Sequence, residues 1–133
     1  MEKAAFVTRG HVELVEEATG NRPEEIVFAG GASKGDLWCQ ILADVLNLPV
    51  KVPVVREATA LGAALLAGYG VGVYKSLSDA ARELVRWDKT FMPNPENHQM
   101  YSGLYENWKK VYAAQLKLAD DRLTRYMWAA PGL

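Results

Sequence analysis

Two short apolar runs bridged by a helix constrain this chain more than any other feature. Ile26-Val27-Phe28-Ala29 is rich in β-branched and aromatic residues and too short for a helix, and a second run places Val at 50, 52, 54 and 55. Between them Leu37, Trp38, Ile41, Leu42, Val45 and Leu46 recur at intervals of three and four, which predicts an amphipathic helix from about Ser33 to Leu46. Ser33 with Asp36 three residues on resembles a capping box, and Asn47-Leu48-Pro49 closes the helix. Two strands joined in this way are parallel. Parallel sheets are usually wider than two strands, so the pair reads as part of something larger. Pro53 has no N–H to give to a ladder, which places the second strand at an edge or ends it there.

The rest is helical. Phe6, Val7, Leu14, Val15 and Ala18 predict a helix over residues 2–19, stopped by Gly20. Behind Glu57, Ala58 to Gly68 forms a third helix whose Ala60, Gly62, Ala63, Ala64 and Ala67 carry so little volume that close packing on most sides is expected. A fourth spans 76–85, Trp87 to Pro95 reads as a loop fixed by Pro93 and Pro95, and a last, longest helix runs from Tyr101 to Met127. The uncharged stretch from Ala58 to Tyr74 approaches the length of a membrane span, but its alanines and four glycines fit a buried helix and a turn. No targeting segment is visible at the start.

With 133 residues, half of them hydrophobic, the chain can bury the core of one domain. Its net charge of −1 and the absence of a basic block argue against nucleic acid as a partner. Cys39 is the only cysteine, so no internal disulfide or thiolate metal set can form, and a reducing cytoplasm fits best.

Chemistry concentrates where the first strand runs into Gly30-Gly31-Ala32-Ser33 and a helix. Glycines clear the turn of side chains, and free N–H groups at a helix start attract a phosphate. The same glycines serve equally well in a plain strand-to-helix turn. Gly30 and Gly35 have the gap of a Walker A loop, but Asp36 and Leu37 stand where Lys and Ser or Thr belong. Gly68-Tyr69-Gly70-Val71-Gly72 follows a helix, not a strand, and reads as a helix stop in place of a dinucleotide fingerprint. Asp44 is expected to be solvated or locally hydrogen-bonded, Glu57 to favour a helix dipole, and His11 and His98 are isolated. The residues alone therefore nominate no catalytic group and no metal ligand.

Val27-Phe28-Ala29-Gly30-Gly31-Ala32-Ser33, then Gln40-Ile41-Leu42-Ala43-Asp44-Val45-Leu46, then Val55-Arg56-Glu57-Ala58-Thr59-Ala60-Leu61-Gly62-Ala63-Ala64 resemble, in order and spacing, the C-terminal nucleotide-binding domain of the FGGY carbohydrate kinases. Leu84-Val85-Arg86-Trp87, Pro93-Asn94-Pro95-Glu96-Asn97-His98 and the ending Met127 to Leu133 are similar to the branch of that family acting on the quorum-sensing signal autoinducer-2. The resemblance implies a partial ribonuclease-H-like, actin-like ATPase domain of α/β class, helix-rich, with two short parallel strands and a long C-terminal helix. It implies that residues 1–133 are the C-terminal part of the ATP-binding domain, without the sugar-binding domain, in a cytoplasmic enzyme. It implies ATP and Mg as cofactors, a sugar-like substrate, and no nucleic-acid or membrane partner. Gly30, Gly31 and Ala32 would line the nucleotide phosphates, while Ser33, Lys34 and Gly35 would lie beside ribose and adenine. The catalytic aspartate, the Mg carboxylates and further strands are expected upstream of Met1, leaving the chain alone inactive and its open sheet edge free for a homodimer or strand exchange. A kinase for xylulose or glycerol and a non-catalytic interaction module are the alternatives.

Overall fold

The computed structural model describes residues 2–124. Its elements are α1 (Glu2–Thr19), β1 (Ile26–Val27), one 3₁₀ turn (Gly31–Lys34), α2 (Asp36–Leu46), β2 (Val50–Pro53), α3 (Ala58–Gly70), α4 (Leu77–Leu84), β3 (Trp87–Phe91) and α5 (Pro95–Asp120).

β1 and β2 pair in parallel, with Ile26 opposite Val50 and Val27 opposite Lys51. The sheet has a third strand. β3 runs antiparallel to β2, pairing Val50 with Phe91 and Val52 with Lys89, and a bulge precedes Pro53. The strand order β1-β2-β3 makes β2 central, which corrects its expected place at an edge. Pro53 does end it, at the bulge where no ladder donor is needed. The expected loop over 87–95 is likewise corrected: Trp87, Lys89 and Phe91 alternate with Asp88 and Thr90, the period of a strand. Asn94 and Pro95 are then a helix start, since Asn94 Oδ1 accepts from the N–H groups of Glu96 and Asn97 at 2.9 and 3.1 Å, and Pro95 occupies the first helical position. α5 thus begins six residues before the expected Tyr101 and ends at Asp120. The predicted continuation through Tyr126 and Met127 lies outside the described residues.

The core forms where α1 and α5 cover α2. Ala5 and Phe6 meet Leu42, Val45 and Leu46 from α2, Val50 from β2, and Tyr101 and Tyr105 from α5. Each large aliphatic side chain buried here contributes about 1.5–3 kcal/mol. Phe6 sits edge-on to Tyr101 at 6.3 Å.

Residues 54–86 leave the sheet and return to it. The Val54 N–H donates to the Arg86 carbonyl at 2.9 Å, closing the excursion that contains α3 and α4. α3 is not packed on most sides as its small residues led one to expect. Only Leu65 is buried, Leu66 is 60% exposed, and the space before Gly62 is open. Among the described residues no helix is long and apolar enough to cross a membrane.

Candidate functional site

The glycine turn is built by one conformation that only glycine adopts freely and one buried hydroxyl. Gly30 has φ 85° and ψ −175°, a conformation essentially reserved for glycine. Its N–H donates to the Arg56 carbonyl at 2.7 Å, tying the turn to the segment after β2. Its carbonyl accepts from the Ser33 N–H at 3.1 Å and the Ser33 hydroxyl at 2.7 Å. Ser33 is 1% exposed, so its hydroxyl shapes the turn from inside. The expected capping box is therefore absent: the residue before α2 is Gly35, with no side-chain cap.

This arrangement leaves the Gly31 and Ala32 N–H groups without an acceptor among the described residues. A Cβ placed on Gly31 would meet nothing within 4 Å, so the turn opens onto free space. Gly31, Ala32, Lys34 and Gly35 are exposed, and Gly30 is half-buried. Unsatisfied N–H groups before a helix, on exposed residues, are suited to the oxygens of a phosphate. Gly35 packs against Trp38, which stands edge-on to Phe28 at 6.4 Å.

Charges around the turn come in pairs. Lys89 Nζ lies 2.6 Å from Asp36 Oδ2, and Arg56 Nη2 lies 2.7 Å from Asp88 Oδ2. Both pairs connect β3 to the rim of the turn. Sequence reading missed them, because the loop assigned to 87–95 hid the strand that delivers Asp88 and Lys89. Burial pushes the Cys39 thiol above its ordinary value, and the nearby Asp36 charge adds to this. Its Sγ lies 3.6 Å from the Ser33 carbonyl.

At the other end of α2, Asp44 is buried and not solvated; it is locally hydrogen-bonded, as the alternative expectation had it, and also bonded to the start of α5. Its Oδ1 accepts from Gln40 Nε2 at 2.7 Å and the Asn94 N–H at 2.8 Å, and its Oδ2 accepts from Asn97 Nδ2 at 2.9 Å. His98 Nδ1 lies 2.8 Å from the Asp44 carbonyl, which can only accept, so Nδ1 carries a proton. One residue thus pins the start of α5 to α2. The signal in the sequence was a charge inside the apolar run from Leu42 to Leu46. Glu57 stands at the start of α3 without a side-chain cap, and His11 is exposed on α1.

Among the described residues no three His, Cys, Asp or Glu side chains converge.

Residues 1–71 match the model of the FGGY family of carbohydrate kinases, C-terminal domain. The autoinducer-2 kinase of Escherichia coli (strain K12) is 48% identical over 132 residues, 99% of this chain and 25% of that protein. The chain thus spans a quarter of the length of the curated relatives it matches. The xylulose kinase from Rhodospirillum rubrum superposes with a TM-score of 0.70 at 30% identity, covering 88% of this chain and 24% of that one. Plasmodium falciparum glycerol kinase, solved with ADP, gives 0.68 at 26% identity over 85% of this chain and 22% of its own.

Proposed function

Because the chain belongs to the FGGY family of carbohydrate kinases, we propose that it supplies the nucleotide side of an ATP-dependent kinase whose acceptor is open-chain autoinducer-2. The observation that carries this reading is the turn at Gly30, where the Gly31 and Ala32 N–H groups have no acceptor among the described residues and the space beside Gly31 is open. Gly30, Gly31 and Ala32 receive the ATP phosphates through the main chain. Ser33 keeps the turn in shape from beneath, and Lys34 and Gly35 flank the ribose and adenine. The 48% identity to autoinducer-2 kinases, against 26–30% to the glycerol and xylulose kinases, supports the choice of acceptor.

In the reaction a substrate hydroxyl oxygen forms a bond to the γ-phosphorus as the bond to the β,γ-bridging oxygen breaks, and the hydroxyl proton passes to a base. Such transfers depend on positioning and charge stabilisation. The turn contributes donors fixed before the nucleotide arrives, which cost no reorganisation during transfer. The base, the sugar-binding residues and the Mg ligands belong, in this reading, to parts of the enzyme outside these 133 residues.

Titration of the chain with ATP tests the assignment. Saturable binding is expected, and Gly31→Asp should abolish it with little change in melting temperature, because the new carboxylate enters open space in front of the turn. Unchanged affinity in that variant would remove the turn from the nucleotide site. No binding by the unaltered chain would favour an interaction module.

A further inference from the structure

Residues 54–57 have little secondary structure to hold them. They follow the end of β2 and precede α3 in neither strand nor helix, and α3 itself buries only Leu65. Yet this segment carries the acceptor that sets the glycine turn. The Arg56 carbonyl takes the Gly30 N–H at 2.7 Å and the Ala58 N–H at 2.9 Å. If that carbonyl shifts, Gly30 shifts with it, and so do the N–H groups of Gly31 and Ala32 that come next.

The Arg56 side chain supplies an anchor. It is half-buried, and its Nη2 donates to Asp88 Oδ2 at 2.7 Å. Asp88 is delivered by an irregularity in the sheet. Val52 pairs with Lys89 and Pro53 with Trp87, so Asp88 is the extra residue of a β-bulge, with no partner of its own on β2. A bulge re-aims a side chain that a regular ladder would direct elsewhere. The next residue, Lys89, reaches Asp36 at the start of α2. Consecutive residues of β3 therefore grip the two ends of the turn: Asp88 holds the Gly30 end through Arg56, and Lys89 holds the far end, past Gly35, through Asp36.

We propose that Asp88 is a positioning residue of the nucleotide site, which fixes the Arg56 carbonyl and through it the aim of the phosphate-binding N–H groups. It acts through Arg56 and Gly30 and needs no contact with the nucleotide. The proposal rests on the reading of the turn as the phosphate site. On charge alone an acid near a polyanion weakens its binding. Through the turn, Asp88 strengthens it.

Asp88→Asn tests this, because charge and positioning predict opposite signs. Isothermal titration of the 133-residue chain with ATP, and with inorganic tripolyphosphate as a probe of the phosphate contacts alone, should show D88N binding both about three- to fivefold more weakly, the scale of one partly exposed ion pair. The Gly30 amide, followed by NMR, should exchange with solvent faster in D88N. Melting temperature should change little, since Asp88 is exposed and Lys89 still holds the other end. R56D/D88R, which reverses the pair and keeps the net charge, should recover most of the affinity and of the Gly30 protection, with folding checked by far-UV circular dichroism. Binding by D88N as tight as that of the unaltered chain, or tighter, overturns the proposal and leaves the turn as the nucleotide site. A loss of affinity with unchanged Gly30 exchange, or one that a folded R56D/D88R does not recover, overturns it as well, because Asp88 would then act by another route. If the unaltered chain binds neither ATP nor tripolyphosphate, the reading of the turn fails first and the proposal falls with it.

Discussion

Tyr105 joins three charged side chains at the boundary of the core. Its hydroxyl donates to Glu13 Oε2 at 2.7 Å, and its ring lies 4.5 Å from the Arg9 guanidinium and 4.9 Å from Lys109 Nζ. Burial first, then the hydrogen bond to Glu13 and its charge, push the phenol up from 10.0 to about 12. The fold thus favours the protonated phenol, whereas an unfolded tyrosine ionises near pH 10. The stabilisation is complete below about pH 10 and is lost as pH rises through about 12, by about 2 kcal/mol. Urea unfolding from pH 8 to pH 12 should show this loss in the unaltered chain and a smaller one in Tyr105→Phe. At neutral pH that variant should be about 1–2 kcal/mol less stable, for want of one bond to a carboxylate. A parallel pH dependence in the two proteins would contradict the assignment.

Elements here are joined by polar residues that local patterns do not announce. Asp44→Ala would remove the buried acceptor shared by the Gln40 amide, the Asn94 N–H and the Asn97 amide; Gln40 keeps the Met92 carbonyl and the two asparagines reach solvent. A loss of about 1–3 kcal/mol is expected, with faster hydrogen exchange at the start of α5. Thermal melting within error of the unaltered chain would refute this. The periodic elements were legible: α1, α2 and the two parallel strands follow from spacing, and Gly20 and Pro53 end their elements as their chemistry requires. β3 was not, because Pro93 and Pro95 outweighed the short alternation before them. The turn was legible as glycines before a helix, yet not its construction. That Gly30 bonds to Arg56, that Ser33 faces inward and that β3 brings Lys89 to Asp36 are long-range outcomes of packing. The small residues of α3 misled, since low volume permits a close neighbour without supplying one: the Tyr74 ring closes on Gly68, but the space before Gly62 is open.

For the whole molecule, the proposed division of labour has a direct test. Phosphoryl transfer needs a base and a metal-neutralised phosphate facing the bound nucleotide. The 133-residue polypeptide, supplied with ATP, Mg and autoinducer-2, is therefore expected to form no phosphorylated product above the uncatalysed background. Turnover detected by phosphate-transfer assay would place those groups within this chain. The hydrogen bond between Val54 and Arg86 bears on a different matter, the tolerance of the fold to insertion and deletion. The two ends of the α3–α4 excursion already meet, and the entropy of closing a loop grows only with the logarithm of its length. Length changes between those ends leave the β2–β3 ladder and the α1–α2–α5 core in register. Natural variation in chain length should collect beyond Arg56, whose carbonyl holds the Gly30 N–H, and a foreign domain could be grafted between α3 and α4 without touching that bond.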